Sequence, residues 1–257
     1  MNTPKISIVT VALNSEKYIR KTIESVINQT YENKELIIID GNSTDKTTEI
    51  VERYDEYIDY WVSEPDGGIA DAMNKGIERA TGDYILFLNS DDYLISDDAL
   101  SYVSEAISNS YSIYLFGVKF LFEDGRYRYS SKRNLGFLTN FKMGSCHQGQ
   151  VISRELINEL GGFDTSLKIS FDYDLILRMY RKGQKSTSDD KVISVMRQGG
   201  ISSRRDWVGL KDRYDEEKII HFRNCDNSLM FLVYKLYWLA YIPYRLLRYG
   251  VRVNNRN

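Results

Sequence analysis

Residues 84–88 read YILFL, an uninterrupted apolar run that stops abruptly at Asn89-Ser90-Asp91-Asp92. A run this short is a strand rather than a helix, and with both alternating faces apolar it must be covered on both sides. Strands of that kind lie in the middle of parallel sheets sandwiched between helices. The stretch just before it agrees: within 69–80, Ala70, Met73, Ile77 and Ala80 share one helical face, and Gly82 ends the helix.

The same alternation starts at the N-terminus. Residues 5–12 are rich in Ile and Val and close on Leu13-Asn14-Ser15, after which Tyr18, Ile19, Ile23, Val26 and Ile27 recur at helical spacing. A second buried strand, 36–39, ends in Asp40-Gly41-Asn42-Ser43-Thr44-Asp45, a turn cluster suited to cap a helix beginning near Lys46. A third short strand is expected over 57–62. Strand and helix in alternation predict an α/β fold, a mainly parallel central sheet flanked by helices in a Rossmann-like, nucleotide-binding half. Ligands of such sheets sit beyond the carboxyl ends of the strands, so residues 10–14, Asp40 and 89–92 should line one nucleotide crevice, with Asn89 and Ser90 on its wall.

After about residue 110 the pattern becomes α+β. Segments 113–122 and 126–130 flank Glu123-Asp124-Gly125, a hairpin signal, and a helix is expected to end at Gly161-Gly162 and another to run over 173–181. From residue 228 the chain reads SLMFLVYKLYWLAYIPYRLLRYGVRVNNRN, with Lys235, Arg245, Arg248, Arg252 and Arg256 and no acidic residue. Lys235, Pro243 and Arg245 interrupt it too often for a membrane span. It suits either an interfacial segment at an anionic leaflet or a face that packs on the domain or on a second copy. The expected organisation is a catalytic domain over 1–227, with halves 1–110 and 111–227, and a tail over 228–257.

Composition narrows the partners. A net charge of -2 lacks the basic excess that nucleic acid binding requires. Cys146 and Cys225 are far apart and only two histidines exist, so neither a disulfide framework nor a zinc site is signalled, and a reducing cytoplasm is expected. The first apolar run is too short and too β-branched for a signal peptide.

Adjacent aspartates at the end of a buried strand repel and raise each other's pKa unless a cation sits beside them. Asp91 and Asp92 therefore read as a Mn²⁺ or Mg²⁺ site shared with a substrate diphosphate, or as a solvated, helix-capping loop. Asp40 offers two acceptor oxygens to a uracil imide or a ribose hydroxyl, or to a helix cap; Asn42, Ser43, Thr44 and Asp45 suit capping. An inverting glycosyl transfer needs one carboxylate opposite the leaving diphosphate to take the acceptor's proton. Asp172 and Asp174 are the candidates, and Asp174 is placed to pair with Arg178 one helical turn on. His147-Gln148, ahead of a strand over 150–153, reads as an acceptor contact or as packing.

These segments carry a resemblance. ISIVTVALN, IIIDGNSTDKT and SEPDGGIADAMNKGIERATGDYILFLNSDD, over residues 5–100, resemble the signature of inverting family 2 glycosyltransferases. HQGQVISRELINELGGFD and FDYDLILRMYRKG are similar to the family's acceptor-side segment. The form is like that of bacterial enzymes building colanic acid, O-antigen and capsule. The resemblance implies a GT-A fold, with Thr10, Ala12, Asn14 and Glu16 beside the nucleotide and Asp40 on its base. It implies Asp71, Asn74 and Lys75 near the donor sugar or pyrophosphate, Asp91 on the metal and Asp172 as base. Asn89 stands where many relatives have the first Asp of Asp-x-Asp, and Phe171 where many have Glu. The implied activity is transfer from a UDP- or dTDP-linked sugar to a hydroxyl of a saccharide or polyprenyl-linked acceptor at the cytoplasmic membrane face. Two other classes compete. A sugar-1-phosphate nucleotidyltransferase needs a glycine-rich basic loop that VALNSEKYIRK lacks. A non-catalytic nucleotide-sugar-binding module would fit Asn89 and Phe171 but not the intact Asp91, Asp92 and Asp172.

Overall fold

In a computed structural model, which describes residues 3–108, 110–130, 133–199 and 206–254, the apolar runs become the strands of one sheet. The chain divides into two compact units, Met1–Gly199 and Gly200–Asn257, so the boundary expected at 227 falls inside the second. In chain order the first unit carries β1 (Ile6–Ala12), α1 (Ile19–Ile27), β2 (Lys34–Asp40), α2 (Thr47–Glu52), β3 (Tyr60–Ser63), α3 (Ile69–Arg79), β4 (Tyr84–Phe87) and β5 (Tyr93–Leu94). There follow α4 (Ala99–Ala106), β6 (Ile113–Leu121), β7 (Tyr127–Tyr129), β8 (Gln150–Ser153), α5 (Arg154–Glu159), α6 (Phe171–Arg181) and β9 (Ser186–Arg197).

Among the described residues the sheet order is β3-β2-β1-β4-β8-β6-β9-β5, with β7 on the edge of β6. The first four strands are mutually parallel, as the βαβα pattern predicts. Beyond them β8 runs antiparallel to both β4 and β6, while β9 returns parallel to β6. Every residue of β1 is buried. Ile6 and Ile8 pack with Ile19, Ile23 and Val26 of α1 and Val51 of α2, each such side chain stabilising the fold by about 1.5–3 kcal/mol. On the other face α3 rides close: a Cβ on Gly76 would lie 2.3 Å from Cγ1 of Val9.

At the amino ends of the strands, Glu35 of β2 is only 4% exposed but fully engaged. Its carboxylate accepts from Ser7 Oγ, from Thr81 N and Oγ1 and from Gly82 N, and pairs with Lys5 Nζ at 2.7 Å. Burial alone would raise its pKa, but the lysine and these donors pull it down to about 2.

Three elements depart from expectation. The third strand begins three residues late, because 55–57 form a 3₁₀ turn that Trp61 Nε1 holds through Asp55 Oδ1 at 2.7 Å. The helix expected over 173–181 starts at Phe171, whose ring sits edge-on to Phe163, which is in turn edge-on to Phe87 of β4. That earlier start brings Asp172 into its first turn. Strand β9 had no clear signature, since its middle carries exposed Asp189, Asp190 and Lys191.

The second unit consists of α7 (Trp207–Arg223) and α8 (Ser228–Asn254). Asp206 caps α7 by accepting from Gly209 N at 3.3 Å. One stripe of α8 faces α7: Tyr234 stacks on His221 at 4.5 Å, and Trp238 Nε1 donates to His221 Nδ1 at 3.0 Å. The opposite stripe, Leu229, Leu232, Leu236, Leu239 and Leu247, is exposed. No helix among the described residues is long and apolar enough to cross a membrane.

Candidate active site

Two strand-end loops are clamped together before any ligand is considered. Asn14 N donates to Ser43 Oγ at 2.8 Å and Asn14 Oδ1 accepts from Thr44 N at 2.9 Å. Glu16 N donates to Asp45 Oδ2 and Glu16 Oε2 accepts from Lys46 N, both at 3.0 Å. Asn14 and Asn42 take φ of 48° and 65°, the left-handed region that asparagine tolerates best among residues with a side chain. Asp45 Oδ1 also accepts from Thr47 N at 3.0 Å, while Lys46, the N-cap residue of α2, makes no side-chain cap bond.

Two expected nucleotide contacts lie inside this wall rather than on it. Asp40 has no exposed surface; its oxygens accept from Ser43 N, Ser43 Oγ and Ser63 Oγ. Thr10 is equally buried, because strand alternation aligns it with Ile8 and Ala12 on the core face, and its Oγ1 has no partner. The Ala12 carbonyl accepts from Gly41 N at 2.8 Å. A Cβ on Gly41 would stand 2.5 Å from Asp66 Oδ2, so that carboxylate would have to swing aside.

On α3, Asn74 has both ends of its amide committed to the backbone of Phe163, at 2.9 and 2.8 Å. It staples the helix to the 162–163 turn. Asp71 accepts from Gly67 N at 2.9 Å, and Lys75 pairs with Glu64 at 2.7 Å, yet both side chains keep exposed surface.

The acidic pair splits into two roles. Thr22 Oγ1 donates to the carbonyls of Ser90 and Asp92, and Ser90 Oγ meets Ser15 Oγ at 2.6 Å, which fixes the 89–92 loop over α1. Asp92 is 1% exposed, with Oδ2 accepting from Gln148 Nε2 at 2.7 Å and Oδ1 from Arg197 N at 3.0 Å. Its carboxyl is pushed well above the usual range by burial and then by the like charge of Asp91, against Gln148 and Arg197. Asp91 is partly exposed, and burial raises its pKa as well. The expectation of two carboxylate ligands therefore narrows to Asp91, because both oxygens of Asp92 are taken.

The described residues contain no cluster of three or more His, Cys, Asp or Glu able to hold a metal by themselves. One carboxylate is still the protein share typical of Mg²⁺ or Mn²⁺ bound jointly by substrate phosphates and water. A raised Asp91 beside the buried Asp92 is also the electrostatic situation a divalent cation relieves, and the buried Oδ1 of Asn89 has no partner. The donor set fits a metal shared with a diphosphate.

Asp172, in the first turn of α6, keeps 24% of its side chain exposed. Its Oδ1 accepts from Tyr173 N at 2.8 Å, and its Oδ2 lies 3.4 Å from His147 Nδ1. His147 Nε2 lies in turn 3.2 Å from Asn89 Nδ2. Gln148 is fully buried, holding Asp92 by its amide and accepting from Ser194 Oγ at 2.6 Å, so of the two expected acceptor residues only His147 reaches the mouth. Gly149 lets this turn press on β6, where a Cβ would lie 2.5 Å from the Phe116 carbonyl. Burial, then the charges of Asp172 and Asp92, push the Cys146 thiol up to about 12, which keeps it unreactive. Asp174 is buried against Arg178 Nε at 2.7 Å, as its spacing suggests.

One residue escaped the sequence reading. Arg197, at the end of β9, presents its guanidinium 4.8 Å from the Tyr18 ring and 5.4 Å from Tyr93, with its Nε buried and unpartnered. The apolar run VISV ending in Met-Arg was the available signal, hidden by the charged half of the strand.

The glycosyl transferase family 2 profile matches residues 7–171. An uncharacterized glycosyltransferase of Mycobacterium tuberculosis is 33% identical over 181 residues, 69% of this chain and 69% of that protein. Among solved structures, S. aureus TarS 1-349 with UDP-GlcNAc superposes with a TM-score of 0.68 at 22% identity, covering 87% of this chain and 68% of that one. A mannosyltransferase from Pyrobaculum calidifontis with GDP-Man and Mn²⁺ gives 0.70 at 18% identity, covering 98% and 74%. These structures share the fold, which is GT-A.

Proposed function

This chain belongs to glycosyl transferase family 2, and we propose that it carries out an inverting transfer from a UDP-linked sugar to a hydroxyl of a saccharide or lipid-linked acceptor in bacterial surface polysaccharide synthesis. The observation that carries the reading is a solvent-reaching carboxylate, Asp172, joined through His147 and Asn89 to the loop that bears Asp91. A nucleophile's proton sink and a leaving-group site are thus joined by one chain of polar contacts, as a single displacement requires. Asp172 takes the proton of the attacking hydroxyl as that oxygen closes on the anomeric carbon. Asp91 would hold a Mn²⁺ or Mg²⁺ ion, with Asp92 locked behind it. When bound, that ion stabilises the negative charge arising on the departing diphosphate. Arg197 brings positive charge near Asp91, while Asn14, Glu16 and Ser90 hold the neighbouring loops.

A UDP donor is supported by the UDP-GlcNAc complex of TarS, and GDP is the competitor raised by the mannosyltransferase. A thermal-shift panel of UDP, GDP, dTDP and CMP with and without Mn²⁺ tests both. A metal-dependent shift with UDP alone is expected, and no shift with any nucleotide would overturn the donor reading. Asp172→Asn should bind UDP normally but lose about 10²–10⁴-fold in transfer; normal turnover would remove Asp172 as base.

The exposed leucine stripe of α8, with Lys235 and Arg248 and no acidic residue on the helix, supports docking at the inner face of the cell membrane. Leu236→Glu with Leu239→Glu should release the protein from anionic vesicles. Unchanged co-sedimentation would leave the stripe to a protein partner.

A further inference from the structure

The Asn89–His147–Asp172 chain holds more information than the position of a base. An amide nitrogen can only donate, so Asn89 Nδ2, 3.2 Å from His147 Nε2, requires that ring nitrogen to be bare. A neutral imidazole carries one proton, which must then sit on Nδ1, 3.4 Å from Asp172 Oδ2. Turning the amide over would put the proton on Nε2 and leave the Nδ1 lone pair facing the carboxylate, an arrangement with two acceptors and no hydrogen between them. The geometry points to Asn89 as the residue that sets the His147 tautomer, and to His147 as a positioning residue that holds Asp172 Oδ2 by an Nδ1–H bond.

This rests on the reading of Asp172 as base, and it gives Asn89 a reason to differ from the Asp that its position resembles. An aspartate at 89 is acceptor-only. It would call for a proton on Nε2 as well, so between two carboxylates the ring is drawn to the doubly protonated form and the neutral Nδ1–H state that Asn89 sets is lost. Because Asp172 Oδ1 is already held by Tyr173 N at 2.8 Å, the His147 bond is the second point that fixes the carboxylate plane. A loss of about 10–100-fold in turnover is the usual consequence of removing such an orienting partner.

The tautomer can be read without knowing either substrate. The chain has two histidines, and the second is an internal control of opposite sign: Trp238 Nε1 donates to His221 Nδ1, so neutral His221 carries its proton on Nε2. Imidazole ¹⁵N spectra of the full chain, at a pH well above the ordinary histidine value of about 6.5, should show one Nδ1–H and one Nε2–H ring. His147→Asn assigns them by deleting the first. Asn89→Asp should place a proton on Nε2 of His147 and leave His221 unchanged. A His147 ring with Nε2–H in the unaltered protein overturns the proposal even if Asn89→Asp fails to fold, as does a tautomer indifferent to residue 89. Neither result touches the base assignment, which falls only if Asp172→Asn keeps normal transfer.

Discussion

The two ends of the parallel strands each bury a carboxylate, and they treat it in opposite ways. At the amino end, Glu35 is surrounded by hydroxyls, backbone N–H groups and Lys5, and its pKa falls to about 2. At the carboxyl end, Asp91 and Asp92 stand side by side, both pKa values are raised, and Asn89 Oδ1, Gln148 Oε1 and Arg197 Nε are buried without partners. Native interiors rarely leave polar atoms unmatched, so one end is a finished structural joint and the other is held ready for something to complete it. Burial of charge alone does not mark a site. What marks it is burial without the partners.

The comparison breaks most sharply at Asp91. Asp91→Asn removes one of the two like charges, so metal-dependent donor binding should vanish and transfer should fall by about 10²–10³-fold, the scale of losing one main electrostatic stabiliser. The same variant should melt no lower than the parent, since the repulsion with Asp92 goes with it. A large loss of melting temperature would mean that Asp91 is structural, as Glu35 is. Glu35→Ala should behave in the reverse sense. Removing it leaves the Lys5 ammonium and several donors unsatisfied, at a cost of about 1–3 kcal/mol, while UDP affinity of the folded protein stays unchanged.

The end that was easy to read and the end that was hard differ for a physical reason. Strands β1, β2 and β4 announce themselves because they are buried on both faces, and the abrupt stop at Asp91-Asp92 is visible for the same reason. Asp172 was one of two carboxylates the residues offered and the one the family resemblance implied, and its helix begins earlier than expected because Phe171 packs on Phe163. Which atoms of these residues are free was not legible. Asp92 is closed off by Gln148 and by Arg197 N, partners 56 and 105 positions away that only the β8 and β9 pairings bring near. Thr10 and Asp40 have the right chemistry for a ligand, and only the folded register turns the first into the core and fills the second with serines.

The smallest effect is in pH, and its sign separates the two ends. Glu35 has a folded pKa below its ordinary 4.5, so its stabilisation is complete above that value and is lost as pH falls through 4.5 toward about 2. Asp91 and Asp92 are displaced upward from 3.8, so the folded state holds their protons longer than the unfolded chain does. Their end therefore loses stability as pH rises above 3.8 and recovers it when a cation offsets the charge. Mn²⁺ should then raise the melting temperature more at pH 7 than at pH 4, with UDP enlarging the gap. In Asp91→Asn the metal effect should disappear while the acid limb from Glu35 remains. An equal Mn²⁺ shift at both pH values would show that the cation is not answering the Asp91–Asp92 repulsion, and the contrast between the two ends would lose its electrostatic basis.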